Sequence, residues 1–386
     1  MSWGKMRIAN IFVFLVVLAV LVVGLGAFGQ AFAVEGPGGI DKEPGMETES
    51  QTYRARVLEV AEEDPPQAEE GFTEKVQLLE IELLEGPLEG ERVELDNPLS
   101  GNDFYDIEVS SGDNILVMAE LSGGEISNLY VQDFVRDTYI YYSVVIFAVA
   151  LLIVGGLKGI KTILTLGITL FMVFRIMVPM VAQGYNPLWL SVLLASLVAL
   201  ISLSIIGGFN KKSIIAIIGT IGGVIVAGVL ALVVGGMANL TGFSSEEAQL
   251  LQYTDIGDID VQGLLFAGII IGALGAVMDI GMSIASSCYE MKEINPRIKG
   301  EELFRSGLNV GRDIMGTMSN TLVLAYTGTA MPLLLLFLAQ DMGFAEIINL
   351  DVVATEVIRA IAGSMGLLVA IPITAMTAGF FYGHKK

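Results

Sequence analysis

A single carboxylate stands in the middle of a long apolar segment of the sequence. Residues 262–288 contain one charged side chain, Asp279, within the stretch GAVMDIGMSIASS. Bilayer hydrocarbon has no water to solvate a charge, and insertion scales put the cost of an aspartate there at about 2.5–3.5 kcal/mol. A carboxylate that is removed from water can bind and release a proton near neutral pH. Asp279 is therefore the first candidate for chemistry.

The helix that carries Asp279 has one face of small residues. Gly268, Gly272 and Gly275 precede Asp279 on this face, and Ser283 follows one turn later. Small side chains let a neighbouring backbone approach closely in a membrane. The spacing predicts that the carboxylate points into a helix–helix contact and away from lipid.

The next apolar segment, entered through GRDIMGTMSNT, supplies polar partners on one helical face. Thr317, Asn320 and Thr321 fall at a depth similar to that of Asp279, because the two helices are antiparallel. These residues predict a polar cluster in which Asp279 exchanges H⁺, or in which hydroxyl and amide oxygens hold a dehydrated Na⁺. The alternative is that Asp279 only joins the two helices by hydrogen bonds.

Further charged residues fall inside or at the ends of the apolar segments. Glu356 and Arg359 are spaced i, i+3, so they can pair and brace or gate the outer end of their helix. Arg175 either extends its side chain outward to the membrane surface or meets Glu356 across helices. Arg312 and Asp313 mark the inner end of their span.

The elements that position these residues are apolar stretches long enough to cross about 30 Å of hydrocarbon. They recur eight times and predict eight transmembrane helices: 10–33, 139–157, 160–182, 187–207, 213–236, 262–288, 314–339 and 356–382.

The distribution of Lys and Arg orients these spans. The loops 183–186, 237–261 and 340–355 contain no Lys or Arg, whereas every alternate turn and both termini are basic. The positive-inside rule therefore predicts that both termini, including the C-terminus, are cytoplasmic. The loop 289–313 mixes charged and apolar residues and predicts a short amphipathic helix on the inner surface.

The segment between the first two spans predicts a small external domain. Residues 34–51 read as an acidic Gly/Pro linker, and residues 52–138 alternate in hydrophobicity over about five short strands, as in a closed, OB-like β-barrel. Residues 1–33 are either a retained signal anchor or a cleaved signal peptide, since AFA at 31–33 fits a cleavage site. Residues 139–386 then form a seven-helix transmembrane domain.

Composition excludes several classes of protein. The chain is 53% hydrophobic and 16% charged, which is typical of a polytopic membrane protein. Residues 34–138 hold 27 acidic and 6 basic side chains, so they carry the whole net charge of −21, which argues against nucleic-acid binding. The single Cys288 excludes an intrachain disulfide and a multi-cysteine metal site. No catalytic or nucleotide-binding motif is found, so we expect neither an enzyme nor a cofactor or metal site.

The order of these motifs resembles the YibE/F-like family of bacterial membrane proteins. The resemblance rests on the Gly-rich span with Asp279, on YEMKE just inside, on GRDIMGTMSNT and on a final EVIRAIAGSMGLLVAIPITA. It covers nearly the whole chain and implies a multi-pass protein of the bacterial cytoplasmic membrane, with residues 34–138 outside.

A second, local resemblance concerns the helix of Asp279. GAVMDIGMSIASSCYEMKE is similar to a Gly-rich, aspartate-bearing helix of SecD, SecF and the resistance-nodulation-division permeases, which use proton or sodium gradients. It implies an ion-relay position for Asp279 and an H⁺- or Na⁺-coupled transporter. The competing expectation is a non-transporting scaffold that presents the β domain to a partner complex. The bilayer is the expected partner in either case, together with a homo-oligomer or another membrane protein.

Overall fold

The computed structural model describes residues 48–63, 75–102, 104–122, 125–254 and 259–383. The contacts between these residues divide them into two units, with the boundary between Ala150 and Leu151. The predicted span 10–33 and most of the predicted linker lie outside the described residues, so the choice between signal anchor and signal peptide stays a prediction.

The first unit contains a five-stranded antiparallel sheet. Its strands are β1 (Thr48–Glu63), β2 (Lys75–Leu83), β3 (Arg92–Leu99), β4 (Asn114–Ser122) and β5 (Glu125–Phe134). They are arranged in the order β3-β2-β1-β4-β5. All five predicted strands form, and β1 begins at Thr48, inside the predicted linker.

The sheet is a half-barrel, so the prediction of a closed barrel was wrong. Strand β1 is long enough to pair with β4 through its first half and with β2 through its second half, and a bulge between Val57 and Glu59 bends it. The edge strands β3 and β5 contact each other without forming a ladder. Pro98 lies in β3 and has no N–H to donate, which suits an edge strand. The OB-like assignment stays a prediction.

The core of the half-barrel contains a pair of buried amides among aliphatic side chains. Asn97 donates to the Gln77 Oε1 atom at 3.1 Å and to the carbonyl of Ile107 at 2.9 Å. Gln77 donates to the carbonyl of Val109 at 3.1 Å. These bonds satisfy polar groups that would be costly to bury alone, and they fix the segment that leads from β3 to β4.

After the sheet the described residues form helices joined by short loops, including a 3₁₀ turn at Leu251–Tyr253. The helices are α1 (Asp137–Gly155), α2 (Leu157–Met172), a π-helical turn (Val173–Met177), α3 (Val178–Ala182), α4 (Pro187–Gly207), α5 (Lys211–Met237), α6 (Glu246–Leu250), α7 (Val261–Ile294), α8 (Gly300–Thr329), α9 (Met331–Ala339), α10 (Phe344–Ile348) and α11 (Asp351–Gly383).

Six spans in the described residues are long and apolar enough to cross a membrane, and α8 with α9 makes a seventh if this bent pair counts as one span. Helices α8 and α9 meet at 56°. Pro332 lies in the first turn of α9, where its missing N–H is tolerated. The predicted span 314–339 is therefore broken.

The separate amphipathic helix predicted for residues 289–313 does not form. Helix α7 runs on to Ile294, and α8 begins at Gly300 and continues into the apolar segment. The amphipathic residues are thus the two ends of long helices joined by a short turn, because no helix-breaking residue separates the polar first turns of α8 from its apolar part.

Helices α5, α7 and α11 pack most closely in the second unit, and α8 packs against α11 and α7. A Cβ atom added to Gly223 would lie 2.6 Å from the carbonyl oxygen of Gly366. Glycine at these two positions therefore lets the backbones of α5 and α11 touch.

Candidate functional site

Asp279 lies on an exposed side of α7, in the middle of the helix. It is about 27 Å along the axis from Val261 and about 20 Å before Lys292. Its carboxylate makes no hydrogen bond or ion pair with any of the described residues. An acidic side chain in the middle of the helix is thus without a partner among the residues that the structure describes.

The contacts between α7 and α8 fix the relative depth of the predicted cluster. A Cβ atom added to Gly307 would lie 3.0 Å from the sulfur of Cys288. One added to Gly311 would lie 3.1 Å from the side chain of Ile284. Continuing this antiparallel register places Gly316 opposite Asp279. Asn320 then lies about 6 Å further along the axis.

The polar side chains of α8 lie within about one and a half helical turns of the level of Asp279 and form no hydrogen bond with it. Thr317 donates to the carbonyl of Ile314 and Thr321 to the carbonyl of Thr317, each at 2.8 Å, so both hydroxyls bond to their own helix. Thr317, Asn320 and Thr321 are all exposed. The structure therefore places Thr317 near the level of Asp279 and Asn320 and Thr321 about one turn further along, with no hydrogen bond between them and Asp279.

The small face of α7 packs on no backbone of another described helix, contrary to the prediction. A Cβ atom added to Gly268 or Gly275 would meet nothing within 4 Å. At Gly272 it would meet only the Tyr326 hydroxyl, at 3.0 Å. Helices α5 and α11 pack on the opposite side of α7, so the face with Asp279 points out of the bundle. Ser283, one turn further, is half-buried.

An ion pair forms within α11 near its N-terminus, which is predicted to be the outer end. Arg359 donates to the Glu356 Oε1 atom at 2.6 Å, and the side chains are 29% and 24% exposed. The second carboxylate oxygen of Glu356 is buried and has no hydrogen-bond partner among the described residues. Tyr326 on α8 lies close enough to interact electrostatically with both charges. Sequence reasoning missed Tyr326, since only the fold brings it to Gly272 and this pair.

Arg175 is exposed and lies in the π-helical turn between α2 and α3. It forms no ion pair with Glu356, which pairs instead with Arg359. A π-helical turn inserts one residue into the helix, which turns the following side chains, and such turns often occur at functional sites.

The predicted inner-end residues Arg312 and Asp313 are exposed on α8. Arg312 lies 3.5 Å from the Asn309 side-chain oxygen. The described residues contain no group of three or more His, Cys, Asp or Glu side chains that could hold a metal ion.

Comparison with protein families accounts for both units. A family described as YibE/F-like protein matches residues 143–384, and the YibE/F family N-terminal domain matches residues 48–134. The chain belongs to the YibE/F-like family. The resemblance seen in the sequence is confirmed, and the N-terminal match covers the five strands of the half-barrel. No curated protein and no solved structure matches this YibE/F-like protein. Its local similarity to SecD and SecF stays an expectation.

The N-terminal domain of this YibE/F-like protein displays two aromatic rings on the loop between β3 and β4. Phe104 and Tyr105 are 81% and 74% exposed, and their rings stack edge to face with centroids 4.8 Å apart. Asp106 fixes the loop, accepting hydrogen bonds from the Ser100 backbone and hydroxyl at 2.8 Å and from the Asn102 backbone at 3.0 Å. The Ser100 backbone N–H contributes most to holding the pKa of Asp106 below its ordinary value.

The sequence marked this loop only as a turn. The available signal is the stretch from Ser100 to Asp106, which is rich in Ser, Gly, Asn and Asp as in side-chain-capped turns and contains two adjacent aromatic residues, Phe104 and Tyr105. A loop held by its own hydrogen bonds loses little entropy when its rings are covered, so it suits a binding surface.

Proposed function

We propose that this YibE/F-like protein is an ion-coupled membrane transporter in which Asp279 binds and releases a proton. The observation that carries the proposal is the unpartnered carboxylate of Asp279 in the middle of an apolar, 34-residue helix. Its expected location is the bacterial cytoplasmic membrane, with residues 34–138 outside and the C-terminus inside.

A purely structural role for Asp279 within the chain lacks its main support. Such a role requires hydrogen bonds from Asp279 to a neighbouring helix, and none is formed with the described residues. Interhelical hydrogen bonds in membranes contribute about 0.6 kcal/mol on average, which is below the cost of inserting the charge. Protonation removes that charge, so the two protonation states of Asp279 favour different hydration of its surroundings.

We assign the neighbouring polar residues supporting roles. Asn320, Thr317, Thr321 and Ser283 tune the proton affinity of Asp279 when α8 moves against α7. A proton is favoured over Na⁺ because a carboxylate binds it alone, whereas Na⁺ needs several oxygen ligands. Na⁺ remains the second candidate ion.

The ion pair of Glu356 with Arg359 braces the outer ends of α11 and α8 in this proposal. Tyr326 of α8 also contacts α7 there, since its hydroxyl lies against Gly272. Arg175 lies apart from this group and is assigned no step.

The test is proton flux in liposomes with an enclosed pH-sensitive dye. We expect Asp279→Asn to abolish flux, because the amide keeps the shape and polarity of the side chain without titrating. Asp279→Glu should retain part of the flux. The matched control is Asp341→Asn, an exposed loop aspartate with a φ of 51°, a conformation that asparagine also adopts.

Unchanged flux in folded Asp279→Asn protein would rule out the relay. So would the absence of any flux in the wild type over a panel of substrates and of H⁺ and Na⁺ gradients.

A scaffold role is the second candidate, and the braced loop with Phe104 and Tyr105 favours it. If the protein only presents its external domain to a partner, a Phe104→Ala, Tyr105→Ala double variant should lose the cellular phenotype while Asp279→Asn keeps it. A transporter predicts the reverse dependence on Asp279. Tyr253→Ala serves as the control, since Tyr253 is also strongly exposed.

A further inference from the structure

The outward face of α7 is unlike the other surfaces of the helix. We define the open face as Gly268, Gly272, Gly275 and Asp279, all of which are exposed. Helices α4, α5, α8 and α11 contact α7 on its other sides. The open face combines a G-x-x-x-G spacing, at Gly268 and Gly272, with a carboxylate two turns further along.

The adjoining side of α8 is also exposed and polar. Thr317, Asn320, Thr321 and Gly328 all lie on the surface. The amide of Asn320 has no hydrogen-bond partner among the described residues. This side of α8 and the open face of α7 together form a strip of polar side chains on the outside of the bundle.

Lipid is a poor cover for this strip. Acyl chains offer no hydrogen-bond partner to a carboxylate or an amide, and exposed polar groups in hydrocarbon are costly. Glycine faces with this spacing favour close helix–helix contact, because they let two backbones approach.

We propose that the open face of α7 and the adjoining side of α8 form the interface of a symmetric dimer with a second copy of the chain. The argument for a second copy is complementarity of hydrogen-bonding groups. A two-fold axis along the membrane normal keeps every residue at its own depth. The Asp279 carboxylate of one copy, which needs donors, then faces the strip of the other copy, whose Asn320 amide is a donor without a partner among the described residues, about 6 Å further along the axis.

The dimer does not rest on the proposed transport activity. It follows from the open face and from the absence of a cover for it in the described residues. A dimer without flux and flux without a dimer are therefore separate, distinguishable results.

The first test is the oligomeric state in lipid nanodiscs and by dilution in vesicles with a fluorescence energy-transfer pair. We expect the wild type to be dimeric and Gly275→Leu to raise the dissociation constant by about tenfold or more. The added side chain meets nothing in the monomer, so the fold should survive. Gly236→Leu is the matched control: Gly236 is also exposed in a span with nothing within 4 Å, and the dimer should persist.

The second test is disulfide cross-linking in native membranes, on a Cys288→Ala background that removes the only cysteine. We expect Gly275→Cys to form covalent dimers under mild oxidation and Gly236→Cys to stay monomeric. A monomeric wild type overturns the proposal, as does a dimer that Gly275→Leu leaves unchanged. Cross-linking at residue 236 and not at 275 would place the contact on another face and overturn it as well.

Discussion

Two acidic side chains in apolar helices meet the cost of their charge in different ways. Glu356 has a cation one turn away, with an N–O distance of 2.6 Å. Asp279 has no partner among the described residues. Removing one partner of a half-buried ion pair leaves the other charge uncompensated, whereas Asp279 has no partner whose charge would be left uncompensated. Mutations at the two sites should therefore differ in kind: Glu356 affects stability and Asp279 affects flux.

We predict that reversing either charge of the pair lowers the apparent melting temperature. Glu356→Arg or Arg359→Glu alone leaves a half-buried charge beside a like charge, which should destabilise the protein by about 1–3 kcal/mol. The double reversal should restore most of the loss. Restoration should be incomplete, because the acidic residue would move away from the N-terminus of α11. Thermal unfolding in detergent or nanodiscs measures this.

The control for this prediction is the ion pair of Glu301 with Arg305 on α8. It has a similar separation of 2.7 Å, but its side chains are more than 70% exposed. Single reversals there should change stability by about 0.5 kcal/mol or less. Equal losses at both pairs, or no rescue by the double reversal, would contradict the assignment of Glu356 with Arg359 as a brace.

The sequence could predict side-chain partners within one helix but not partners on different helices. Glu356 and Arg359 pair because a helix always brings i and i+3 together. The suggested contact between Arg175 and Glu356 depended on which helices are neighbours, which periodicity does not encode. Periodicity likewise placed Asp279 on a glycine face but could not say that this face points out of the bundle.

The contact between α5 and α11 depends on glycine. We predict that Gly223→Val destabilises the helix bundle by about 1–3 kcal/mol, because the new side chain would enter the space of the Gly366 carbonyl. Gly236→Val, on the same helix with open space around it, should have a much smaller effect. Thermal unfolding of both variants compares the two positions directly, and equal effects would show that helix propensity and not packing dominates.

The aromatic loop should loosen in acid. The hydrogen bonds from Ser100 and Asn102 lower the pKa of Asp106 in the folded state, so they stabilise the loop above the ordinary value of 3.8 and are lost as the pH falls through the folded value. We predict that Asp106→Ala reduces amide protection of residues 100–106 at about pH 7. The difference from the wild type should shrink at about pH 3.

The measurement is amide hydrogen exchange followed by mass spectrometry. The wild type and the Asp106→Ala variant are compared at each pH. Residues 75–83 of β2 serve as the internal control. A difference that persists unchanged in acid would mean that Asp106 acts through packing and not through its charge.

The sequence predicted most helices and strands, but it predicted less well where helices begin or break and how strands pair. Hydropathy located the spans because burial in lipid depends on composition alone. It missed that α8 runs unbroken from Gly300, since amphipathic and apolar stretches both favour a helix. The break between α8 and α9 has a local cause in Pro332 that sequence reasoning could have used. The strands followed from alternation, whereas closure of the barrel depends on long-range pairing that alternation does not report.

The charge distribution of the whole chain is asymmetric. Residues 34–138 carry the entire net charge of −21, and the loops predicted to be external contain no Lys or Arg. Lys211 and Lys212 instead begin α5 at a turn predicted to be cytoplasmic. The asymmetry orients a membrane protein during insertion and attracts cations to its acidic side.

The predicted orientation can be tested with single cysteines at two exposed positions. Phe209, next to Lys211, is 94% exposed, and Tyr253 is 85% exposed in the loop between α5 and α7. On a Cys288→Ala background, we expect a membrane-impermeant maleimide to label Tyr253→Cys in intact cells. Phe209→Cys should be labelled only after the membrane is permeabilised, because the basic turn stays inside.

The wild type provides the background level of labelling, since its one cysteine, Cys288, is buried. Labelling of both positions after permeabilisation shows that each cysteine is reachable, so the difference in intact cells reports sidedness alone. The opposite pattern, with residue 209 labelled from outside, would reverse the whole topology. It would also place the acidic domain in the cytoplasm, so that protons attracted to it would approach Asp279 from the inner side.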